Sequence, residues 1–392
     1  MIMIHKVTDI PTSSPQTITT LKELYEYMTQ CFVGRDTEIK VAILALLARE
    51  HAIFIGPPGI AKSALINRLS QLCRMSAFRL LMGKTTLIEQ LVGVPKIRVL
   101  REDDRLEYNI DGMLPTADVA FLDEIYKASN TILNMLLTLI QERIFDNGGQ
   151  VVKCPLQTLF AAANHVPRDP QYRAFHDRFL FRVFSEALPL ELKTMLFDHY
   201  IIMRERTDEK LPDIAPKLLE EAQEKVNHVD LTAIKPMYLE LLYELAERRI
   251  IISDRRMGQI LTAMAAHAVF NGRMTATVDD LWVIQYTIPY SEDEFVEVVD
   301  VYQTIQQKYN LQNANLRAIR TQIIALANAV AMSPTSEENF ARVQELQQLK
   351  TEIAEYTHSN DIDPELLRDV QMMVQQTLHE IKEILEENKC VT

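Results

Sequence analysis

His51–Arg68, HAIFIGPPGIAKSALINR, is the stretch whose reading decides the fold. It opens on Ala52, Ile53, Phe54 and Ile55, an apolar strand, turns through Gly56, Pro57, Pro58 and Gly59, and brings Lys62 and Ser63 to the start of a helical pattern. That order is what a phosphate-binding loop requires. Backbone N–H groups curl around an anion, a helix N-terminus faces it, a lysine pairs with the outer phosphates, and a hydroxyl ligates Mg²⁺. The stretch therefore predicts a nucleoside triphosphate site. The pattern G-x-x-x-x-G-K-[ST] expects glycine where Ala61 stands, so the rest of the chain must supply the other parts of the site.

The chain has 392 residues, enough for two or three domains rather than one. Hydrophobic residues at 47% and charged residues at 24% fit an ordinary globular protein. No apolar run approaches the roughly 20 residues that cross a bilayer. The start, MIMIHKVTDIPTSSPQT, has no charged segment followed by a long apolar one, so a cytoplasmic location is expected. A formal charge of −13 argues against broad nucleic-acid binding, which needs a surplus of lysine and arginine. Cys31, Cys73, Cys154 and Cys390 are scattered without metal-ligand spacing and read as reduced structural thiols.

Outward from the phosphate loop, residues 1–17 read as a loosely held arm, followed by helices from Thr20 and over Asp36–Arg49. Downstream, Phe78–Met82 and Val119–Leu122 read as strands, the second ending in Asp123-Glu124. That pair suits an aspartate in the Mg²⁺ shell and a glutamate that activates the attacking water. Lys96–Arg101 and Arg105–Ile110 predict a β-hairpin with the charged tip Glu102-Asp103-Asp104, and Asn147-Gly148-Gly149 marks a second hairpin. The strand Thr158–Ala163 ends in Asn164, a polar amide where ligand contacts concentrate in an open α/β sheet. In Phe175–Phe184, FHDRFLFRVF, Asp177, Arg178 and Arg182 lie at helical spacing among large apolar residues. Such arginines either pair with local acids or reach a neighbouring subunit's nucleotide.

Pro189–Tyr290 carries only amphipathic helical patterns: Leu192–Arg206, Pro216–Val226, Lys235–Arg248, Arg255–Phe270 and Val278–Thr287. Ser253-Asp254-Arg255-Arg256 is a capped helix start whose arginines sit unfavourably at the positive helix end, unless Asp254 or a nucleotide phosphate relieves them. Val301–Met332, Asn339–Tyr356 and the helix opening at Asp363-Pro364-Glu365 read as a C-terminal hairpin or bundle.

These parts, in this order, resemble the AAA+ ATPases, and more narrowly the MoxR family in its RavA-like branch. The resemblance is carried by GPPGIAKS (56–63), FLDEIYKASNTILNMLLTLIQER (121–143), IFDNGGQVVKCP (144–155), AAANHVP (161–167), DRFLFRV (177–183) and SDRR (253–256). Alanine before the lysine is usual in that family. The resemblance implies a P-loop α/β core with a parallel sheet flanked by helices (18–187), an α-helical lid (188–295) and a C-terminal helical region (296–392). It implies ATP with Mg²⁺, the metal held by Ser63 and Asp123. Nucleotide contacts would come from Val33, Gly34, Gly56, Pro57, Pro58, Gly59, Ile60, Ala61, Lys62, Ser63, Ala64, Asp123 and Arg256. Glu124, Asn164 as first sensor, Arg178 as arginine finger and Arg255 as second sensor would be catalytic, with Arg182 and Arg256 competing for the last two roles. Both hairpins would face a pore or a substrate. The implied function is ATP hydrolysis by a chaperone-like hexameric ring that remodels a protein partner, typically one with a von Willebrand factor A domain. The alternative is a nucleotide-gated scaffold with slow hydrolysis.

Overall fold

The computed structural model describes residues 18–169, 172–205, 212, 214–215, 217–332, 336–356 and 364–389. The arm expected over 1–17 lies outside the described residues. The chain divides into two compact units, one of Met1–Val229, Ile252–Met274 and Val283–Val296, the other of Asp230–Ile251, Thr275–Trp282 and Glu297–Thr392.

In the first unit, α1 (Leu21–Cys31) opens with a capping box: Thr20 accepts from the Glu23 N–H, and the Glu23 carboxylate accepts from the Thr20 N–H. Its buried face is Leu21, Leu24 and Met28. Next, α2 (Asp36–Ala48) is apolar nearly all round, so it is buried against its neighbours. The sheet follows, with β1 (Ala52–Ile55), β2 (Ala77–Leu81), β3 (Val119–Asp123), β6 (Thr158–Ala163) and β7 (Phe181–Phe184) in the order β2-β3-β6-β1-β7. Every pairing is parallel, in the register Ile55 with Ala163 and with Phe184. A parallel sheet is covered on both faces, which is why β1, β6 and the body of β3 are continuous apolar runs. β1 lies between β6 and β7, which places the loop after it beside the end of β6, with β3 one strand further on, in the crevice where open α/β sheets bind ligands. The connecting helices include α3 (Lys62–Leu72), α4 (Glu89–Val92) and α6 (Asn130–Glu142), whose buried stripe is Ile132, Leu133, Leu136, Leu139 and Ile140.

Two sequence expectations are corrected here. Residues 96–110 are not a β-hairpin. The ends do run antiparallel, with the Lys96 N–H donating to Glu107 O at 2.7 Å and the Asn109 N–H to Val94 O at 2.9 Å, but the middle coils into α5 (Ile97–Asp103). An Arg98–Glu102 pair one helical turn apart and the left-handed Asp104 that stops the turn favour the helix over a charged strand tip. Residues 175–184 are not one helical surface either. A single turn, α7 (Arg173–His176), gives way to β7, so Arg178 and Arg182 belong to different local structures.

The second predicted hairpin is present, as β4 (Ile144–Asn147) and β5 (Gln150–Lys153). Gly148 and Gly149 both have positive φ, 68° and 85°, as the tight turn requires. Asn147 is buried, accepting from the Tyr108 N–H at 2.6 Å and donating to the Tyr108 carbonyl at 3.1 Å, so hairpin and α5 loop are tied together. The unit is completed by α8 (Leu190–Glu205), α9 (Leu218–Val226), α11 (Asp254–Phe270) and α12 (Ile284–Thr287).

The second unit holds α10 (Lys235–Glu247) and most of α13 (Glu292–Met332), with α14 (Ser336–Tyr356) and α15 (Pro364–Lys389). Leu316, Ile319, Ile323 and Val330 pack with Leu346, Leu349 and Ile353 and with Val370, Val374 and Ile381 into one apolar core. This is the helical bundle the spacing predicts. Arg320 and Asp369 pair across it at 2.7 Å.

Candidate nucleotide site

At the C-terminal ends of the strands the site is built mainly from backbone. Gly56 follows β1, and a Cβ there would meet the Ser185 carbonyl at 2.0 Å, so only glycine fits against the chain leaving β7. Gly59 has φ 82° and Ala61 has φ 64°, ψ 18°. The position where the motif expects glycine is therefore one that glycine favours, and Ala61 holds it at a strain of about 1–2 kcal/mol. Beyond it the N-terminus of α3 presents its first N–H groups with Lys62 and Ser63. The Lys62 ammonium donates to Gly56 O at 2.7 Å and Ala163 O at 3.4 Å, bridging the tips of β1 and β6. Burial lowers its pKa, and the carboxylates of Asp123 and Glu124 oppose that shift. An ammonium held by carbonyls at a helix N-terminus suits an anionic phosphate.

Asp123 ends β3 and accepts from the Glu124 N–H at 2.9 Å. Glu124 takes the left-handed conformation, φ 52°, which turns the chain out of the sheet. Its carboxylate accepts from Asn164 Nδ2 at 2.8 Å and lies 3.3 Å from Lys127 Nζ. Sequence reasoning placed Asn164 near an attacking water; the structure puts its amide on the glutamate. Among the described residues no group of three or more His, Cys, Asp or Glu side chains could hold a metal. Ser63 and Asp123 fit a different arrangement, that of Mg²⁺, which takes one or two protein oxygens and completes its shell with water and phosphate.

Beside the loop lies a cavity of about 570 Å³ lined by Val33, Pro58, Gly59, Ile60, Ala61 and Ala64, together with Leu188, Lys193 and Tyr200. Gly34 has φ 67°, and a Cβ there would meet Leu188 and Leu192 at 2.8 and 3.0 Å. The cavity is the size of a small-molecule site and lies against residues 58–61 of the loop. Arg35 and Arg68 also line it, and neither was anticipated. Arg35 is buried, pairing with Glu38 at 3.0 Å and donating to Glu186 O at 2.9 Å. Arg68 donates to the Tyr27 hydroxyl at 3.2 Å. The only sequence hint was their closeness to Val33-Gly34 and to one face of α3.

The opposite ends of the same strands carry a second group. His51, just before β1, is buried: its Nδ1 accepts from the Leu159 N–H at 3.0 Å and its Nε2 contacts Ile140 O at 2.9 Å, which fixes a neutral ring. Burial pushes its pKa down to about 3. Glu50 accepts from Gln259 Nε2 at 3.0 Å, and burial raises its carboxyl although the Gln259 bond and the charges of Arg143, Arg255 and Arg256 favour ionisation. Arg178 is half-buried, with Nε on Gln141 at 3.0 Å, and its pKa is lowered first by burial and then by Arg255. Arg178 and Arg255 are thus neighbours on this edge. Arg255 is exposed at the start of α11, where Ser253 caps by accepting from the Arg256 N–H at 3.3 Å.

The competing arginines are accounted for. Arg182 is fully buried, donates to Pro289 O at 3.1 Å and sits over the Tyr290 ring at 5.6 Å. Arg256 is also buried, with Nε on Thr287 O at 2.7 Å, Nη1 on Asp177 at 3.1 Å and Nη2 on Leu180 O at 2.9 Å and Phe179 O at 3.3 Å. Its assignment as a nucleotide contact is corrected, because its guanidinium donors are already engaged by the protein and none is left for a phosphate. Burial lowers both, Arg182 to about 10 and Arg256 to about 9. Sequence reasoning gave Asp177 no role, yet its carboxylate receives both.

Comparison with known proteins places the fold in a family. Residues 19–224 match the model described as the MoxR domain in the MoxR-vWA-beta-propeller ternary systems, and residues 224–302 match an AAA lid domain. The uncharacterized protein MJ0079 of Methanocaldococcus jannaschii is 35% identical over 291 residues, 74% of this chain and 75% of that protein. The chaperone MoxR1 of Mycobacterium tuberculosis is 25% identical over 168 residues, 42% of this chain and 44% of that protein. A crystal structure of an ATPase-like protein from Cytophaga hutchinsonii superposes with a TM-score of 0.58 at 18% identity, over 74% of this chain and 93% of that one, a likeness of fold. Among the described residues no helix is long and apolar enough to cross a membrane. With a parallel P-loop sheet, a helical lid and a family model matched over more than half its length, the chain belongs to the MoxR family of AAA+ ATPases.

Proposed function

We propose that this chain hydrolyses ATP as one subunit of a hexameric ring, and that the ring remodels or matures a protein partner bearing a von Willebrand factor A domain. The observation that carries the ring is the placement of Arg178 and Arg255 at the strand N-termini, with the phosphate loop at the C-termini. The four residues of β1 alone span about 13 Å between those edges. Neither arginine is on the side of its own subunit's phosphate loop, so both face outward to a neighbour's nucleotide.

In this reading the loop 56–61, Lys62 and the first turn of α3 hold the phosphates, and Ser63 with Asp123 holds Mg²⁺. The ion, when bound, neutralises charge on the phosphate oxygens. Glu124 accepts the proton of the attacking water while Asn164 fixes its carboxylate. A neighbour's Arg178 stabilises the developing charge and a neighbour's Arg255 adds a second contact. The core over 18–187, the lid over 188–295 and the helices of 296–392 act as the working parts. The vWA partner is supported by the description of the matched MoxR model, and the RavA-like branch by the residues at 161–167, 177–183 and 253–256. A net charge of −13 keeps nucleic acid out of the reading.

The test is ATP turnover of wild type, Glu124→Gln and Arg178→Ala, alone and mixed. Glu124→Gln should bind ATP and lose at least about a hundredfold in turnover, since acid–base assistance contributes that order. Mixing it with Arg178→Ala should restore or poison hydrolysis across subunits. Turnover of Glu124→Gln equal to wild type removes its assigned role. The C-terminal bundle, with its own apolar core, favours a second reading, a nucleotide-gated scaffold. A scaffold would hold its partner stoichiometrically in ATP, where a remodeller would release or alter it.

A further inference from the structure

The segment that carries Arg178 and the helix start that carries Arg255 are fastened to each other through one carboxylate. Asp177 Oδ1 receives Arg256 Nη1 at 3.1 Å and Arg182 Nη2 at 3.5 Å, while Oδ2 lies 3.9 Å from Arg178 Nη1. Arg256 reinforces the join by donating to the carbonyls of Asp177 at 3.2 Å, Phe179 and Leu180, so the backbone 177–180 wraps its guanidinium. Arg178 lies inside that wrapped segment, and Arg255 is the residue before Arg256 on α11. Half-buried Arg178 and exposed Arg255 therefore stand on a shared bracket in which Asp177 is the carboxylate that pairs with Arg256 and Arg182, while the charge of Glu50 acts on Arg255 and Arg256.

We infer that Asp177 is a positioning residue that sets the spacing of Arg178 and Arg255, so that both reach one nucleotide of a neighbouring subunit together. The inference rests on the ring reading above. Two buried guanidinium groups beside one half-exposed carboxylate make the arrangement sensitive to that charge. With an amide in its place, Arg256 keeps its carbonyl partners and the segment stays folded, but the anion that draws Arg182, Arg256 and Arg178 together is gone. The consequence is a finger and a sensor that are present and misaligned, and misplacement on this scale is costly to catalysis.

The experiment measures steady-state ATP turnover of the full chain for Asp177→Asn, Arg178→Ala and the double variant, with ring assembly and thermal unfolding recorded alongside. Asp177→Asn should assemble, keep KM within twofold and lose tenfold or more in kcat. Added to Arg178→Ala it should cause no further loss. Asp177→Glu should recover part of the turnover. The inference is overturned if Asp177→Asn stays within twofold of wild type, if its loss falls on KM alone, or if it multiplies in full onto Arg178→Ala. Should Asp177→Asn fail to assemble, Arg256→Lys serves in its place, with the same pattern expected and the same outcomes overturning it. The two readings fail differently. Arg178→Ala with wild-type turnover removes the ring reading and this inference with it, whereas an impaired Arg178→Ala beside a normal Asp177→Asn removes this inference alone.

Discussion

The two edges of the central sheet are built on opposite principles. At the C-terminal edge the anion site is mostly main chain: a glycine pressed against Ser185 O, a left-handed Ala61, the first turn of α3, and Lys62 anchored on two carbonyls. At the N-terminal edge the main chain contributes acceptors and the work falls to side chains drawn from distant segments: His51, Glu50, Arg143, Arg178, Asp177, Arg256 and Gln259. The first design is contiguous in sequence and tolerates little backbone change. The second is assembled by tertiary contacts and depends on charge and protonation.

The edges should therefore respond to different insults, and the largest expected effect is one of pH on the side-chain edge. His51 has a folded pKa of about 3 against about 6.5 unfolded. Between those values the unfolded chain binds the extra proton, so stability rises with pH; it is full above about 6.5 and is lost as pH falls towards 3. The loss reaches roughly 3 kcal/mol by pH 4 and roughly 4 kcal/mol by pH 3, and urea midpoints from pH 7 to pH 3 should show it. His51→Gln should flatten that dependence, and an unchanged slope would mean another group controls it.

Next in size is Lys62→Ala on the phosphate edge. It should weaken ATP binding by about 2–5 kcal/mol while leaving thermal unfolding without nucleotide nearly unchanged, as calorimetric titration and melting would record. An equal loss of fold stability would show that the lysine is primarily a strut between β1 and β6. On the side-chain edge, Gln223 accepts from Arg49 at 2.9 Å and donates to Leu46 O and Gln157 at 2.8 Å, so it ties α9 to α2. Gln223→Leu should cost about 1–3 kcal/mol of stability through the orphaned buried partners. The smallest effect belongs to Ala61→Gly, which relieves the left-handed alanine and should stabilise the fold by about 0.5–1 kcal/mol. A loss instead would mean the loop gains more from alanine's stiffness than it suffers in strain.

The phosphate edge was legible in sequence because its parts are local. Strand, loop, lysine and hydroxyl lie within His51–Arg68, and Asp123-Glu124 and Asn164 each sit at the end of an apolar run. The hairpin at Asn147-Gly148-Gly149 was legible for the same reason, since its turn needs two left-handed residues. Residues 97–103 were not, because Ile97, Val99 and Leu100 alternate with charges well enough to suit a strand, and the Arg98–Glu102 pair and the Asp104 stop decide for a helix. Residues 177–184 misled in the other direction: apolar and charged residues fit a helical face until β7 finds β1 as a parallel partner.

What the sequence determined by itself was the nucleotide machinery of a P-loop sheet and the class of helices around it, because backbone conformation and periodicity are properties of short stretches. What only the tertiary structure decided was which arginines are buried and which stay near the surface. Arg255 and Arg256 are chemically identical and adjacent, and one helical step turns the second into the core, where Asp177 and four carbonyls engage it, and leaves the first at the surface. Arg178 and Arg182 differ in the same way, one on an open segment and one inside a strand. Burial and partners, which no local pattern records, separate a guanidinium enclosed by its own chain from one left nearer the surface.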